Sequence, residues 1–191
     1  MSTAHDYGDE RGPHTIADLD ELPEEGRQYE LVHGWLIRMV PGILHEECIA
    51  EITDILRPHV PADHVLREGY AVAVTDDTLY QPDIALVARD AARRAKKDRM
   101  RAVTGEDVLL AVEVQLARSG SWNTVHHFKF QDYALAGIQY YWIFDVADIP
   151  MLTAYELDGD VYRRTHQVTG DEIAELDEPV KVAFSPSEIT A

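Results

Sequence analysis

The most constraining feature of this sequence is the apolar run VLLAVEV at residues 108–114. A nearly continuous apolar run of this length predicts a strand that is covered on both faces, as in a sheet with helices packed on it. Its one charged residue, Glu113, comes near the end of the run. Because an uncompensated carboxylate is costly to bury, Glu113 must be paired, hydrogen-bonded or bound to a metal. The run therefore predicts a strand buried on both faces, with one carboxylate near its end that needs compensation.

The segments around this run alternate between helical and extended patterns. Apolar residues at helical spacing predict helices over 43–59 and 125–136, and the basic stretch 89–101 also reads as helical. Alternating or continuous apolar residues predict strands. These strands cover 28–40 (a hairpin that turns at His33-Gly34), 65–75, 79–88, 139–146, 151–166 (a second hairpin) and 180–184. This order predicts an α/β fold, of the α+β type, with helices packed on a mixed sheet.

The length of 191 residues predicts one domain, over residues 14–191, after a flexible segment over residues 1–13. The single cysteine, Cys48, excludes an internal disulfide framework. No apolar run approaches the length of a membrane-spanning helix, and residues 1–12 lack the basic-then-apolar order of a signal peptide. We therefore expect a cytoplasmic protein without membrane contact.

The charge distribution is uneven. Seventeen basic residues against 35 acidic residues give a formal charge of −18, which argues against tight nonspecific binding of nucleic acid. The basic residues nevertheless cluster in the segment 89–101, RDAARRAKKDRMR. This cluster is either a surface that faces phosphate or simply a solvated helix and loop.

Three residues could form one chemical site. Asp83 enters an apolar strand after Pro82, Glu113 ends the buried strand, and Lys129 lies on the following helix. Carboxylates on neighbouring strands can share a Mg²⁺ or Mn²⁺ ion, and a nearby lysine can stabilise phosphate charge. The alternative is that Asp83 caps a turn, Glu113 pairs with an arginine and Lys129 is exposed. The residues alone leave both interpretations open.

An ordered set of short motifs resembles one known family. The set consists of YELVHGWL at 29–36, His45, QPDI at 81–84, VEV at 112–114, Lys129, Tyr133, Gly137-Ile138, Tyr141-Trp142 and Asp145. In this order the motifs resemble the Uma2-type branch of the PD-(D/E)XK nuclease superfamily, over about residues 15 to 165. The resemblance implies a restriction-endonuclease-like core with flanking helices and added β-hairpins. It also implies Mg²⁺- or Mn²⁺-dependent endonuclease activity on DNA.

The resemblance also implies roles for individual residues. Asp83 and Glu113 would be metal ligands, Gln115 would offer its backbone carbonyl, and Lys129 would replace the lysine that the superfamily places at position 115. Glu30 and His45 would be auxiliary groups near this site. The segment after Glu113 departs from the family, because it is about two residues longer and has Val125 where the family has an aspartate. Asn123 could substitute for that aspartate in part.

Three functions are compatible with these observations. The first is a metal-dependent endonuclease acting on DNA, and the second is a catalytically degraded relative that serves as a binding or regulatory protein. The third is a hydrolase of another phosphodiester, such as RNA or a nucleotide. A homodimer fits the first function, because cutting both strands needs two sites and C2 pairing is the commonest assembly.

Overall fold

A computed structural model describes residues 13–20, 29–39, 42–116 and 124–190. The flexible segment expected over residues 1–13 lies, apart from Pro13, outside the described residues. The strands are β1 Tyr29–Val32, β2 Trp35–Arg38, β3 His64–Glu68, β4 Val72–Thr75, β5 Thr78–Tyr80, β6 Ile84–Ala88, β7 Val103–Thr104, β8 Val108–Leu116, β9 Tyr140–Val146, β10 Met151–Asp158, β11 Val161–Thr169, β12 Ala174–Leu176 and β13 Val182–Phe184. The helices are α1 Ile43–Leu56, α2 Arg89–Asp98 and α3 Phe130–Leu135.

A six-stranded mixed sheet forms the centre of the molecule, in the order β11-β10-β9-β8-β6-β3. Strands β8 and β9 are parallel, and the other neighbours in this sheet are antiparallel. Strand β8 contains the VLLAVEV run, lies between β6 and β9 and is almost wholly buried, which confirms the predicted buried strand. The chain returns from β8 to β9 through α3, as a parallel connection requires.

A second, five-stranded sheet has the order β2-β1-β5-β4-β7. The predicted hairpin over 28–40 forms its edge, with His33 and Gly34 at φ 48° and 84° in the turn. Positive φ at both turn positions matches the twist of a two-residue hairpin. Strands β12 and β13 form a separate hairpin near the end of the chain.

The predicted continuous strands over 65–75 and 79–88 are wrong, because each of them is two strands in different sheets. Strands β3 and β6 belong to the six-stranded sheet, whereas β4 and β5 belong to the five-stranded sheet. The chain leaves β3 at Gly69, whose φ of 54° is a left-handed conformation that favours glycine. It leaves β5 before Pro82, which lacks the N–H that a continuing strand would need.

Two apolar clusters cover the two faces of the six-stranded sheet. On one face α1 packs through its buried residues Cys48, Ile49, Ile52 and Leu56 against β8 and β9. On the other face α2, α3 and the five-stranded sheet pack against the same strands. These layers confirm the predicted mixed α/β fold, and a cleft remains where the two sheets meet.

The predicted helices are present, but their ends differ from the prediction. The first is an α-helix to Leu56 and then a 3-10 turn, Arg57–His59. The helix expected over 125–136 begins as a π-helical turn, Thr124–Lys129, and is α-helical only over α3. Among the helices of the described ranges, none is long and apolar enough to cross a membrane.

Candidate active site

The centre of the site is a buried ion pair between Glu113 and Lys129. Glu113 lies on β8, and Lys129 is the last residue of the π-helical turn before α3. The Lys129 Nζ atom lies 2.9 Å from both carboxylate oxygens of Glu113. Tyr133, one helical turn further along, donates its hydroxyl to Glu113 Oε1 at 3.0 Å. Glu113 and Lys129 are only 3% and 4% exposed, so this pair is shielded from water.

A second buried carboxylate, Glu30, binds the same lysine from the other sheet. Its Oε1 atom lies 2.8 Å from Lys129 Nζ and accepts the backbone N–H of Gln81 at 2.8 Å. Glu30 is on β1 of the five-stranded sheet, whereas Glu113 is on the six-stranded sheet. One ammonium group therefore joins the two sheets at their junction.

The pKa values of the pair reflect this crowding. Burial raises the pKa of Glu113, Lys129 opposes that shift, and the carboxylates of Asp83 and Glu30 add to it. Burial alone would lower the pKa of Lys129, but Glu113, Glu30 and Asp83 outweigh burial and raise it. Lys129 is therefore held as an ammonium ion, and the carboxylates around it repel one another.

Asp83 lies at the start of β6, beside the end of β8. Its Oδ2 atom accepts the backbone N–H of Val114 at 2.7 Å and lies 3.3 Å from Nε2 of His45 on α1. This hydrogen bond with Asp83 raises the pKa of His45, although partial burial opposes the shift. Asp83 is thus fixed between a β8 amide and an imidazole, next to the Glu113 position.

These residues line one cleft of about 620 Å³ at the junction of the sheets, which we call the carboxylate cleft. Its polar lining consists mainly of Glu30, His45, Glu46, Glu68, Gln81, Asp83, Glu113 and Lys129. The structure therefore brings together five of the six site residues predicted from the sequence. The sixth, Gln115, is 2% exposed and donates its side-chain amide to the carbonyl of Leu116 at 2.9 Å.

The alternative interpretations of Glu113 as the partner of an arginine and of Lys129 as an exposed residue are wrong. Glu113 pairs with a lysine rather than an arginine, and Lys129 is buried rather than exposed. Val125, which replaces the family's aspartate, is 3% exposed and packs in the apolar cluster below the site. Asn123, named as a partial substitute for that aspartate, lies outside the described residues.

A polar network behind the site has no counterpart among the residues predicted from the sequence. Asp132 is 7% exposed, and its Oδ2 atom accepts the Tyr80 hydroxyl at 2.6 Å and lies 2.9 Å from Nε2 of His33. The Tyr80 ring lies 5.5 Å from Lys129 Nζ. The three residues come from distant segments, so no local pattern predicts the network. Its one sequence signal is that Asp132 and Lys129 lie three residues apart, on one helical face.

The donor chemistry of the cleft fits a divalent cation. Glu30, Asp83 and Glu113 supply hard oxygen atoms, and Lys129 compensates only part of their charge. Within the described ranges, no group of three or more Asp, Glu, His or Cys side chains is already arranged to hold a metal ion. Mg²⁺ commonly takes only one or two carboxylates and keeps several water ligands, so a pair such as Asp83 and Glu113 suffices.

Comparisons with known proteins agree with this fold. The structure resembles the crystal structure of a protein from Anabaena variabilis ATCC 29413 described as "a putative nuclease belonging to DUF820". The TM-score is 0.63 at 15% sequence identity, and the match covers 93% of this chain and 98% of the other. At this identity the likeness shows a shared fold. No curated protein matches the chain. Residues 16–189 match the Uma2 family, described as "Putative restriction endonuclease", and the chain therefore belongs to that family.

Proposed function

We propose that this protein is a metal-dependent endonuclease that hydrolyses phosphodiester bonds of DNA. The observation that carries the proposal is the meeting of Asp83, Glu113 and Lys129 in the carboxylate cleft. They come from β6, β8 and the turn before α3, and the lysine contacts both oxygens of Glu113. Membership of a family described as "Putative restriction endonuclease" supports the same reaction.

In this proposal Asp83 and Glu113 hold Mg²⁺ or Mn²⁺, with the backbone carbonyl of Gln115 as a further ligand. When bound, such an ion polarises the phosphodiester and lowers the pKa of a coordinated water. The hydrogen bonds from Val114 N–H and His45 orient Asp83 toward this task. Such supporting contacts commonly change metal affinity by about 10- to 100-fold when removed.

Lys129 is the proposed catalytic cation of the protein itself. Its ammonium group can stabilise the negative charge that develops on the phosphate, and it does so most strongly in a site that excludes water. Glu30 is a positioning residue, because it pairs with Lys129 from the five-stranded sheet. We further propose a cytoplasmic homodimer, since cutting both strands requires two such sites.

A second candidate is a relative that has lost catalysis and acts as a binding or regulatory protein. One observation favours it: Lys129 already contacts both oxygens of Glu113, so a metal would compete with that contact. The side chain of Gln115, at the superfamily's lysine position, is also directed to a backbone carbonyl of its own strand. This candidate predicts that divalent ions bind weakly or not at all.

The test compares wild type with Glu113→Gln, Asp83→Asn and a matched control, Glu175→Gln, whose side chain is exposed on β12. Mn²⁺ binding is measured by titration calorimetry, and cleavage of supercoiled plasmid DNA is measured with Mg²⁺. We expect wild type and control to bind and cleave alike. Removal of a metal ligand should cost at least about 100-fold in affinity or rate, the upper end of the effect of removing a supporting group.

Unchanged cleavage in Glu113→Gln would exclude the proposed site. Absence of both Mn²⁺ binding and cleavage in wild type would favour the second candidate. Cleavage of RNA or of small phosphodiesters in place of DNA, still dependent on Glu113, would keep the site and correct the substrate.

A further inference from the structure

We propose that the exposed basic surface of α2 and the following loop binds the phosphate backbone of double-stranded DNA beside the carboxylate cleft. The basic surface consists of Arg93, Arg94, Lys96, Lys97, Arg99 and Arg101. This inference deepens the proposed function, on which it rests, because it assigns a substrate contact outside the cleft.

The basic surface concentrates positive charge in an acidic protein. Seven of the chain's 17 basic residues lie within residues 89–101, which contain only two acidic residues, Asp90 and Asp98. The chain as a whole carries −18. A local patch of the opposite sign is what phosphate binding requires, whatever the net charge of the protein.

Helix α2 and the following loop expose these basic side chains to solvent. Ala91 and Ala95, four residues apart, are buried against the sheet, whereas the six residues of the basic surface are exposed. Arg93 and Arg94 form ion pairs with Asp90 and Asp107.

The other basic residues at the end of α2 are better placed to contact phosphate. Within the described ranges no ion pair engages Lys96, Lys97 or Arg99. These three can therefore contact phosphate without first breaking an existing pair.

The path of the chain places the end of the basic surface near the cleft. Gly69 lines the carboxylate cleft, and two residues later the carbonyl of Ala71 accepts the N–H of Val103 at 3.0 Å. Arg101 precedes Val103 by two residues. With 3.8 Å between successive Cα atoms and about 5 Å across the strand pair, Gly69 and Arg101 are at most about 20 Å apart. That distance corresponds to about six base pairs of DNA at 3.4 Å each.

The charge of the cleft explains why a separate anchor is needed. Among the described residues, the cleft is lined by five carboxylates and by only two permanently basic side chains, Arg38 and Lys129, so it repels an approaching polyanion. This repulsion is screened over about 10 Å at 0.1 M salt, so phosphates that lie farther than that from the cleft carboxylates are little repelled by them. DNA held on the basic surface would bring its next phosphates to the cleft.

The test removes three exposed positive charges, either from the basic surface or from other parts of the molecule. One variant combines Lys96→Gln, Lys97→Gln and Arg99→Gln, and the control combines Arg57→Gln, Arg163→Gln and Lys181→Gln. The control residues are also strongly exposed, with side-chain exposures of 63%, 73% and 88%. Both triple variants change the net charge equally. Binding of a fluorescein-labelled 20-base-pair duplex is measured by anisotropy across a KCl series with Mg²⁺, in a Glu113→Gln background that prevents hydrolysis.

We expect the α2 variant to bind at least about tenfold more weakly at low salt, and the control to bind within about twofold of its parent. The slope of log affinity against log salt should fall by about 0.9 for each phosphate that the variant no longer neutralises, and so by two to three in the α2 variant. Equal weakening by both variants, or no duplex binding by the parent protein, would overturn the proposal. Tighter binding of RNA of the same sequence, with an affinity that the α2 substitutions do not change, would also overturn the proposal.

Self-association offers a competing use of the basic surface. If size-exclusion chromatography shows a salt-sensitive dimer that only the α2 variant fails to form, while DNA binding is unchanged, the surface contacts a second copy and the proposal is wrong. Cleavage that depends on Glu113 but not on α2 would keep the proposed function and exclude this surface. DNA binding that depends on α2, without any cleavage by wild type, would keep the surface and exclude the endonuclease.

Discussion

Lys129 is a buried residue that contacts both sheets at their junction. Its ammonium group is the shared partner of Glu30 and Glu113, which come from different sheets and are both almost fully buried. Removal of one member of a buried ion pair is far more costly than replacement of the whole pair, because the remaining charge has no compensation. The site therefore contributes to the fold as well as to the proposed chemistry.

Replacement of this ammonium group by an apolar side chain, Lys129→Met, should lower the free energy of unfolding by about 3–5 kcal/mol. The physical reason is that Glu113 and Glu30 would remain buried beside each other without a cation. Urea denaturation followed by circular dichroism measures the change. The control is Lys97→Met on the exposed face of α2, which should stay within about 0.5 kcal/mol of wild type. Similar values for the two variants would show that the buried carboxylates do not need Lys129.

The elements that carry the site were predictable where the local pattern was strong. The buried strand β8, the β1–β2 hairpin and helix α1 follow from apolar runs, alternation and helical spacing in their own residues. Gly69 and Pro82 are local signals for a break in each strand, but the sheet that each half joins was not predictable, because both halves carry equally good strand patterns. Which sheet a strand joins is decided by packing with distant segments.

The site residues also differ in whether local motifs predict them or only the packing of distant segments reveals them. The order of short motifs was sufficient to select Asp83, Glu113 and Lys129, and the structure places all three in one cleft. The contact of Glu30 with Lys129 joins residues 99 positions apart, so the sequence could only suggest that Glu30 lies nearby. The Tyr80–Asp132–His33 network had no comparable motif, and it became visible only in the folded structure.

The end of α3 is fixed by a close approach that tolerates only glycine. A Cβ atom added at Gly105 would overlap with the Cβ and carbonyl oxygen of Ala136, the residue that follows α3. We therefore expect Gly105→Ala to lower the free energy of unfolding by about 3 kcal/mol, because a backbone carbonyl cannot rotate away from the added atom.

Gly69→Ala is the matched control for this change. It has open space around the added Cβ atom but a left-handed φ of 54°, so its cost should be about 1–2 kcal/mol. Urea denaturation of both variants gives the comparison. A cost at Gly69 equal to or above that at Gly105 would show that backbone conformation, and not the contact with Ala136, governs these positions.

The whole molecule combines a large excess of acid with a cleft of buried carboxylates. Both features predict that cations stabilise the protein, but for different reasons. A monovalent salt screens the general repulsion of a chain at −18, without regard to position. A divalent ion that binds the carboxylate cleft adds a specific term, RT ln(1 + [L]/Kd), which depends on the cleft residues.

Thermal unfolding at matched ionic strength separates these two contributions. We expect the Tm to rise with NaCl, and to rise further when MgCl2 or MnCl2 replaces NaCl at the same ionic strength. At an ion concentration 100 times the Kd, the additional stabilisation is about 2.7 kcal/mol. In Glu113→Gln the rise with NaCl should persist, whereas the additional rise with the divalent ion should disappear. If the divalent ion gave the same additional rise in Glu113→Gln and in wild type, cations would act on the acidic surface as a whole, and the cleft would not be a metal site.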